Sequence, residues 1–179
     1  MKEVNPKETS RAQQFEIWKN APNPMLTFVK KMDVTNLVRI SKKRHLKFNM
    51  LLDYCIGKAA IGQKEFYLLP VGKKLMQFDR YNLDYLKYTA EVAQSCVDRD
   101  LSEDYMVIGT SAVIDTELEF GGGMYSGIYN NPYIIWGRYS RHFFRYYLNI
   151  SFQFHHTQMD GAHAAHFLTN IQKEIDKMR

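Results

Sequence analysis

Near the end of the chain stands His155-His156-Thr157-Gln158-Met159-Asp160-Gly161, two histidines followed at short spacing by an aspartate and a glycine. A neutral imidazole can take a proton from a hydroxyl or thiol near neutral pH, and such general-base help contributes about 10²–10⁴-fold. An aspartate four residues beyond the second histidine can cap a following helix and anchor the turn before it. Gly161 allows a tight approach or an unusual φ at that point. Ahead of the motif, residues 147–156 alternate. Leu148, Ile150, Phe152, Phe154 and His156 share one face of a strand; Tyr147, Asn149, Ser151, Gln153 and His155 share the other. A strand that runs this far puts His156 at the end of an apolar row, where the charged ring is disfavoured and a base is kept neutral.

Two other readings compete. A single histidine at a strand end more often packs or hydrogen-bonds than catalyses, but the double histidine with Asp160 and Gly161 in a strand-to-helix setting favours the base. Metal binding is the second, because His155, His156, Asp160, His163 and His166 cluster and His163 and His166 are spaced i, i+3. Adjacent histidines on a strand point opposite ways, so the five cannot converge, and no metal is expected.

The elements that must position these residues can be read from periodicity. Residues 9–20 read as a short helix with Phe15, Ile17 and Trp18 for packing, ended by the two prolines of Asn20-Ala21-Pro22-Asn23-Pro24. Residues 25–31 alternate as a strand. Asp33 or Thr35 can cap a helix carrying Leu37, Val38, Ile40 and Ser41, and 48–61 is a second, strongly apolar helix. Residues 65–71 and 74–80 around Gly72-Lys73 read as a hairpin, and 84–99 as a helix with Leu86, Val92, Ala93 and Cys96. A β-rich run at 105–119, the loop after Gly121-Gly122-Gly123, strands at 132–139 and 146–155, and a closing helix at 161–177 complete the chain. Helices and strands interleave without a regular βαβ rhythm. The class is therefore α/β of the α+β type, a mixed sheet flanked by helices. A single domain over residues 1–179 is expected.

Composition narrows the function further. The net charge of +5 is modest, and the one dense cluster, Lys42, Lys43, Arg44, His45 and Lys47, reads as the solvated end of a helix. Nucleic-acid binding is not expected from it, although a basic face suits an anionic cofactor carrying phosphates. Cys55 and Cys96 sit in apolar helical patterns without metal spacing, as buried free thiols of a reducing compartment do. The opening Met1-Lys2-Glu3-Val4-Asn5 has no apolar signal core, and no apolar run is long enough to span a bilayer. A cytoplasmic location with no membrane partner is the expectation.

The order of these motifs resembles the chloramphenicol acetyltransferase family and, more distantly, the acyltransferase core of 2-oxo acid dehydrogenase complexes, which share the His-x-x-x-Asp-Gly signature. The resemblance rests on Ser10-Arg11-Ala12-Gln13-Gln14-Phe15-Glu16, Asp33-Val34-Thr35-Asn36-Leu37, Lys47-Phe48-Asn49-Met50, Trp136-Gly137-Arg138-Tyr139, the run Phe154 to Gly161, and the closing helix from Phe167-Leu168 to Glu174. It implies a two-layer sandwich of the chloramphenicol acetyltransferase type. It also implies a homotrimer with active sites between subunits, and transfer of acetyl from acetyl-coenzyme A to a hydroxyl of a small acceptor. By motif match His156 is the base and Asp160 the carboxylate that pairs with Arg11. His155 and Gly161 support the site, and Arg138 and Tyr139 contact coenzyme A. The chain departs from the family where Trp-x-x-Phe-x-Ser-Phe carries the oxyanion serine: residues 113–119 hold no serine in register, and Thr116 is the nearest substitute. A family threonine becomes Ile135, and the chain is short around 81–105. These departures point away from chloramphenicol itself as the acceptor.

Overall fold

The computed structural model describes residues 2–78, 81–85, 106–123, 125, 127 and 130–179. Two sheets form. Strands β1 (Lys2–Val4), β3 (Leu68–Val71) and β4 (Lys74–Gln77) make a small antiparallel sheet in the order β1-β4-β3. The main sheet runs β2 (Met25–Asp33), β9 (Arg145–His155), β7 (Tyr133–Gly137), β6 (Met106–Val113), β5 (Tyr81–Tyr85), with β8 (Ser140–His142) also paired to β9. The pairs β2–β9 and β9–β7 are antiparallel, whereas β7–β6 and β6–β5 are parallel. The sheet is therefore mixed, as its sequence rhythm predicts.

Helices α2 (Thr35–Arg44), α3 (Phe48–Ala60) and α4 (Gly161–Lys177) bury one stripe each against one face of that sheet. Leu37, Val38, Leu52, Ile56, Phe167 and Ile171 meet Leu148, Ile150, Phe152 and Phe154 in one continuous core. The alternation read from 147–156 is the cause: one row of β9 is apolar and buried, and the other faces away from the helices. On that second face the chain from Glu119 to Gly123 lies along β9. Asn149 donates to the Glu119 carbonyl, the Gly121 N–H to Ser151, and Gln153 to the Gly123 carbonyl. Helix α1 (Ala12–Trp18) sits at the end of β9 and contributes Phe15 as its buried residue.

Several boundaries differ from the periodic reading. Asp84 and Tyr85 belong to β5, paired parallel to Gly109 and Thr110, rather than to a helix. The apolar spacing of that stretch suits either element, and the neighbouring β6 decides. The rest of the expected helix, Cys96 included, lies outside the described residues. The β-rich run ends at Val113, and the strand expected over 132–139 stops at Gly137 before β8 begins. Val34, not Asp33 or Thr35, occupies the cap position of α2, but the Asp33 carboxylate still accepts the Thr35 N–H at 3.0 Å. The basic residues Lys42, Lys43 and Arg44 form the exposed last turn of α2, where cations favour the helix dipole, and His45 closes the helix at φ 53°.

Candidate active site

The turn after β9 is held from three directions. Arg11, at the start of α1, is 2% exposed. Its Nε donates to the Thr157 carbonyl at 2.9 Å, Nη2 to the His156 carbonyl at 2.8 Å, and Nη1 pairs with Asp160 Oδ2 at 3.2 Å. The guanidinium thus spends its donors on the two carbonyls beside the histidine and on the acid that follows. From the loop before β2, the Pro24 carbonyl accepts the His156 N–H at 2.8 Å. From below, Asp160 Oδ1 caps α4, accepting the N–H groups of Ala162 at 3.1 Å and His163 at 3.3 Å. Partial burial alone would raise the Asp160 carboxyl. The His163 N–H, the His163 ring and Arg11 outweigh burial and hold it below its ordinary value.

The two histidines end in different surroundings. His155 is 3% exposed; its Nδ1 accepts the Thr157 N–H at 3.0 Å, and burial, helped by the neighbouring His156, pushes its pKa down to about 4. It is a neutral ring that pins the turn. β9 ends at His155, one residue short of the extent on which placing His156 at the end of the row depended. The His156 ring lies on Trp18 of α1, centroids 4.4 Å apart and planes 17° from parallel, so the wall against it is an indole from another element. His156 Nδ1 is sealed from solvent with no hydrogen-bond partner among the described residues.

Gly161 earns its place by close approach rather than by φ: a Cβ there would come within 3.0 Å of Phe28 Cζ, where α4 starts over β2. His163 reaches Asp160 Oδ1 through Nδ1 at 2.8 Å and Glu65 Oε1 through Nε2 at 3.3 Å. His166 is exposed and meets Asn170 instead. Among the described residues no group of three or more His, Cys, Asp or Glu side chains is arranged to hold a metal ion.

Arg138 and Tyr139 lie elsewhere. They line a cavity of about 650 Å³ together with Lys47, Phe48, Met50 and Ile114. The Tyr139 ring packs on Phe48 at 4.9 Å. The first turn of α3 opens beside this cavity without a side-chain cap. Over Gly137 the chain at 116–118 presses so closely that a Cβ would fall 2.8 Å from the Thr116 carbonyl, which accepts the Arg138 N–H at 2.7 Å. The β7–β9 register, Trp136 opposite Ile150, sets Arg138 level with Leu148. Eight residues along β9 then separate it from His156, about 26 Å at the rise of a strand. Within one chain the histidine turn and the cavity stand at opposite ends of the sheet.

Trp18 was legible only as a packing residue, and Lys47 and Phe48 only as part of a motif. Glu65 carried no signal at all, because its partner His163 lies on the far side of the intervening sequence and only the fold joins them.

No protein-family model matches the chain, and no curated protein matches it. Solved structures do. The chain superposes on a chloramphenicol acetyltransferase with a TM-score of 0.80 at 19% identity, over 97% of each chain. It superposes on a truncated catalytic core of the 2-oxoacid dehydrogenase multienzyme complex from Thermoplasma acidophilum with a TM-score of 0.68 at 16% identity, covering 99% of this chain and 100% of that one. A probable dihydrolipoamide acetyltransferase from Listeria monocytogenes gives 0.64 at 12% identity, over 99% of this chain and 94% of the other. The fold is the one these acyltransferase structures share.

Proposed function

We propose that this chain, on the fold of chloramphenicol acetyltransferase, is an acetyl-coenzyme A-dependent O-acetyltransferase acting on a small hydroxylated acceptor. The observation that carries the reading is the His156 ring, flat on Trp18 with Nδ1 sealed and its peptide gripped by Arg11 and Pro24. In this reading Nε2 takes the acceptor's hydroxyl proton as the oxygen attacks the thioester carbonyl. The tetrahedral intermediate then collapses, the C–S bond breaks, and the proton passes from His156 to the departing thiolate. Asp160 serves the reaction by fixing the turn through Arg11, with His155 and Gly161 as its supports. No metal, nucleic acid or membrane enters the scheme.

Arg138 and Tyr139 are assigned to coenzyme A, with Lys47 beside them. The cavity's size, its cations and the uncapped first turn of α3 suit a cosubstrate that carries phosphates. The separation of this cavity from His156 supports a homotrimer in which the cavity of one copy faces the histidine turn of the next.

A second reading, a family member that binds a small ligand or holds a trimer without turnover, is favoured by one observation. Thr116, the hydroxyl nearest the family's oxyanion serine in sequence, is exposed and donates to the Glu117 carbonyl, and Ile135 is covered by Gly121. Loss of one oxyanion donor typically costs about 10²–10³ in rate. A coenzyme-release assay across alcohols and hydroxylated antibiotics, chloramphenicol included, separates the two. The enzyme is expected to release coenzyme A with at least one acceptor and His156→Ala to abolish it. Background release with every acceptor hands the case to the second reading.

A further inference from the structure

Resting on His156 as the base, we infer that Glu65 is a positioning residue for it, acting through His163 and Asp160. Glu65 stands in the short 3₁₀ turn Lys64–Tyr67, remote from the histidine motif in sequence. Its Oε1 lies 3.3 Å from His163 Nε2, and His163 Nδ1 lies 2.8 Å from Asp160 Oδ1. The other Asp160 oxygen pairs with Arg11, which holds the carbonyls of His156 and Thr157. The contacts therefore run unbroken from Glu65 to the peptide that carries the base.

The turn is a firm abutment. Phe66, next to Glu65, is fully buried and packs edge-on against Phe167 at 4.8 Å and Phe152 at 6.1 Å. Gln63, just ahead of the turn, donates to the His163 carbonyl at 3.3 Å, so it also fixes the first turn of α4.

The chemistry of the bridge depends on a proton. A ring carrying hydrogen on both nitrogens donates to Asp160 and to Glu65 at once. A neutral ring must turn a lone pair toward one of the two carboxylates, or let Nδ1 accept the Asp160 N–H at 3.4 Å instead. The charged groups facing His163 among the described residues are Asp160 at its own helix start and Glu65 from the turn. Arg11 lies beyond Asp160, and Lys64 and His166 are exposed to either side. A ring that reaches both carboxylates ties Asp160 to Glu65 while the other Asp160 oxygen stays on Arg11. Loss of either end of the bridge therefore loosens the peptide that carries His156.

The test is steady-state kinetics of Glu65→Gln, Glu65→Ala and His163→Asn, with acetyl-coenzyme A and an acceptor found by the release assay. Glu65→Gln, which keeps an acceptor oxygen for His163 Nε2, is expected to hold kcat within about threefold of wild type. KM for acetyl-coenzyme A should stay within about twofold, and Glu65→Ala and His163→Asn should lower kcat roughly tenfold. A wild-type kcat in Glu65→Ala overturns the inference. So does a kcat loss in Glu65→Ala that simply tracks loss of folded protein by circular dichroism. If the wild-type protein releases no coenzyme A with any acceptor, the base reading fails, and histidine-ring NMR decides the bridge by itself. Glu65→Ala must then displace the ring signals of both His163 and His156. A His156 ring signal identical to wild type sinks the bridge.

Discussion

At the scale of single residues, the turn from His156 to Asp160 is defined by what each polar group has been given. Arg11 is nearly sealed, yet its Nε, Nη1 and Nη2 each find an acceptor, so its burial is compensated. Removing one partner of such a pair leaves the other uncompensated, a loss of about 3–5 kcal/mol when both are buried and less here, where Asp160 is a third exposed. Asp160→Asn keeps an oxygen for the N–H groups of Ala162 and His163 but gives up the charge facing Arg11 and His163. Thermal melts and turnover measured on the same preparation should therefore fall together. A variant that melts like wild type yet turns over nothing would move Asp160 from anchoring into the chemistry itself.

At the scale of elements, the packing of α3 on β6 and the end of β9 set opposite pH dependences. Asp53 of α3 is buried beside Thr110, and burial, only partly offset by the threonine hydroxyl, raises its pKa to about 6. Unfolded, the same group titrates near 3.9, so its ionisation costs nothing below about pH 4 and its full amount above about pH 6. His155 runs the other way. Held down to about 4 against roughly 6.5 when unfolded, it costs nothing above about pH 6.5 and progressively more as the pH falls to 4. The two slopes oppose each other across one window. Asp53→Asn is expected to add about 2–3 kcal/mol at pH 7 and little at pH 4, leaving a stability that climbs steadily from pH 4 to 6.5. Urea unfolding at stepped pH reads this directly, and a constant offset at every pH would contradict the burial of the charge. Cys55, on the same helix, has its thiol raised to about 12 by burial and by the Glu174 charge, and stays protonated in the core.

At the scale of the whole molecule, the main sheet is covered by helices on one face and by the 119–123 segment on the other. That second face leaves Val29 and Phe120 exposed at 42% and 60%. With the cavity at one end of β9 and His156 at the other, neither end by itself holds both the proposed cosubstrate contacts and the base. The proposed homotrimer would join the two ends across copies. Sedimentation equilibrium is expected to give three chains per particle, with activity lost on dilution below the dissociation range. A monomer that turns over at full rate would remove the shared site.

Much of this was written locally. The helices α2, α3 and α4 and the strands β2 and β9 follow from periods of about 3.6 and 2 in the residues themselves, and the spacing of His156, Asp160 and Gly161 sets a strand end, a cap and a close approach within seven residues. The strand β5 was not legible, because Asp84 and Tyr85 take their form from β6, more than twenty residues on. Nor was the wall against the His156 ring. The alternation of β9 put His156 in the Phe154 row on condition that the strand reached it; β9 ends at His155, and the ring meets Trp18, 138 positions away. Sequence alone determined which side chains stand at the joint between β9 and α4, since local spacing governs strand alternation and helix capping. Only the tertiary structure decided what those side chains face, since contacts of Trp18, Pro24, Glu65 and Arg11 with that joint depend on how distant elements pack, and no local period encodes that.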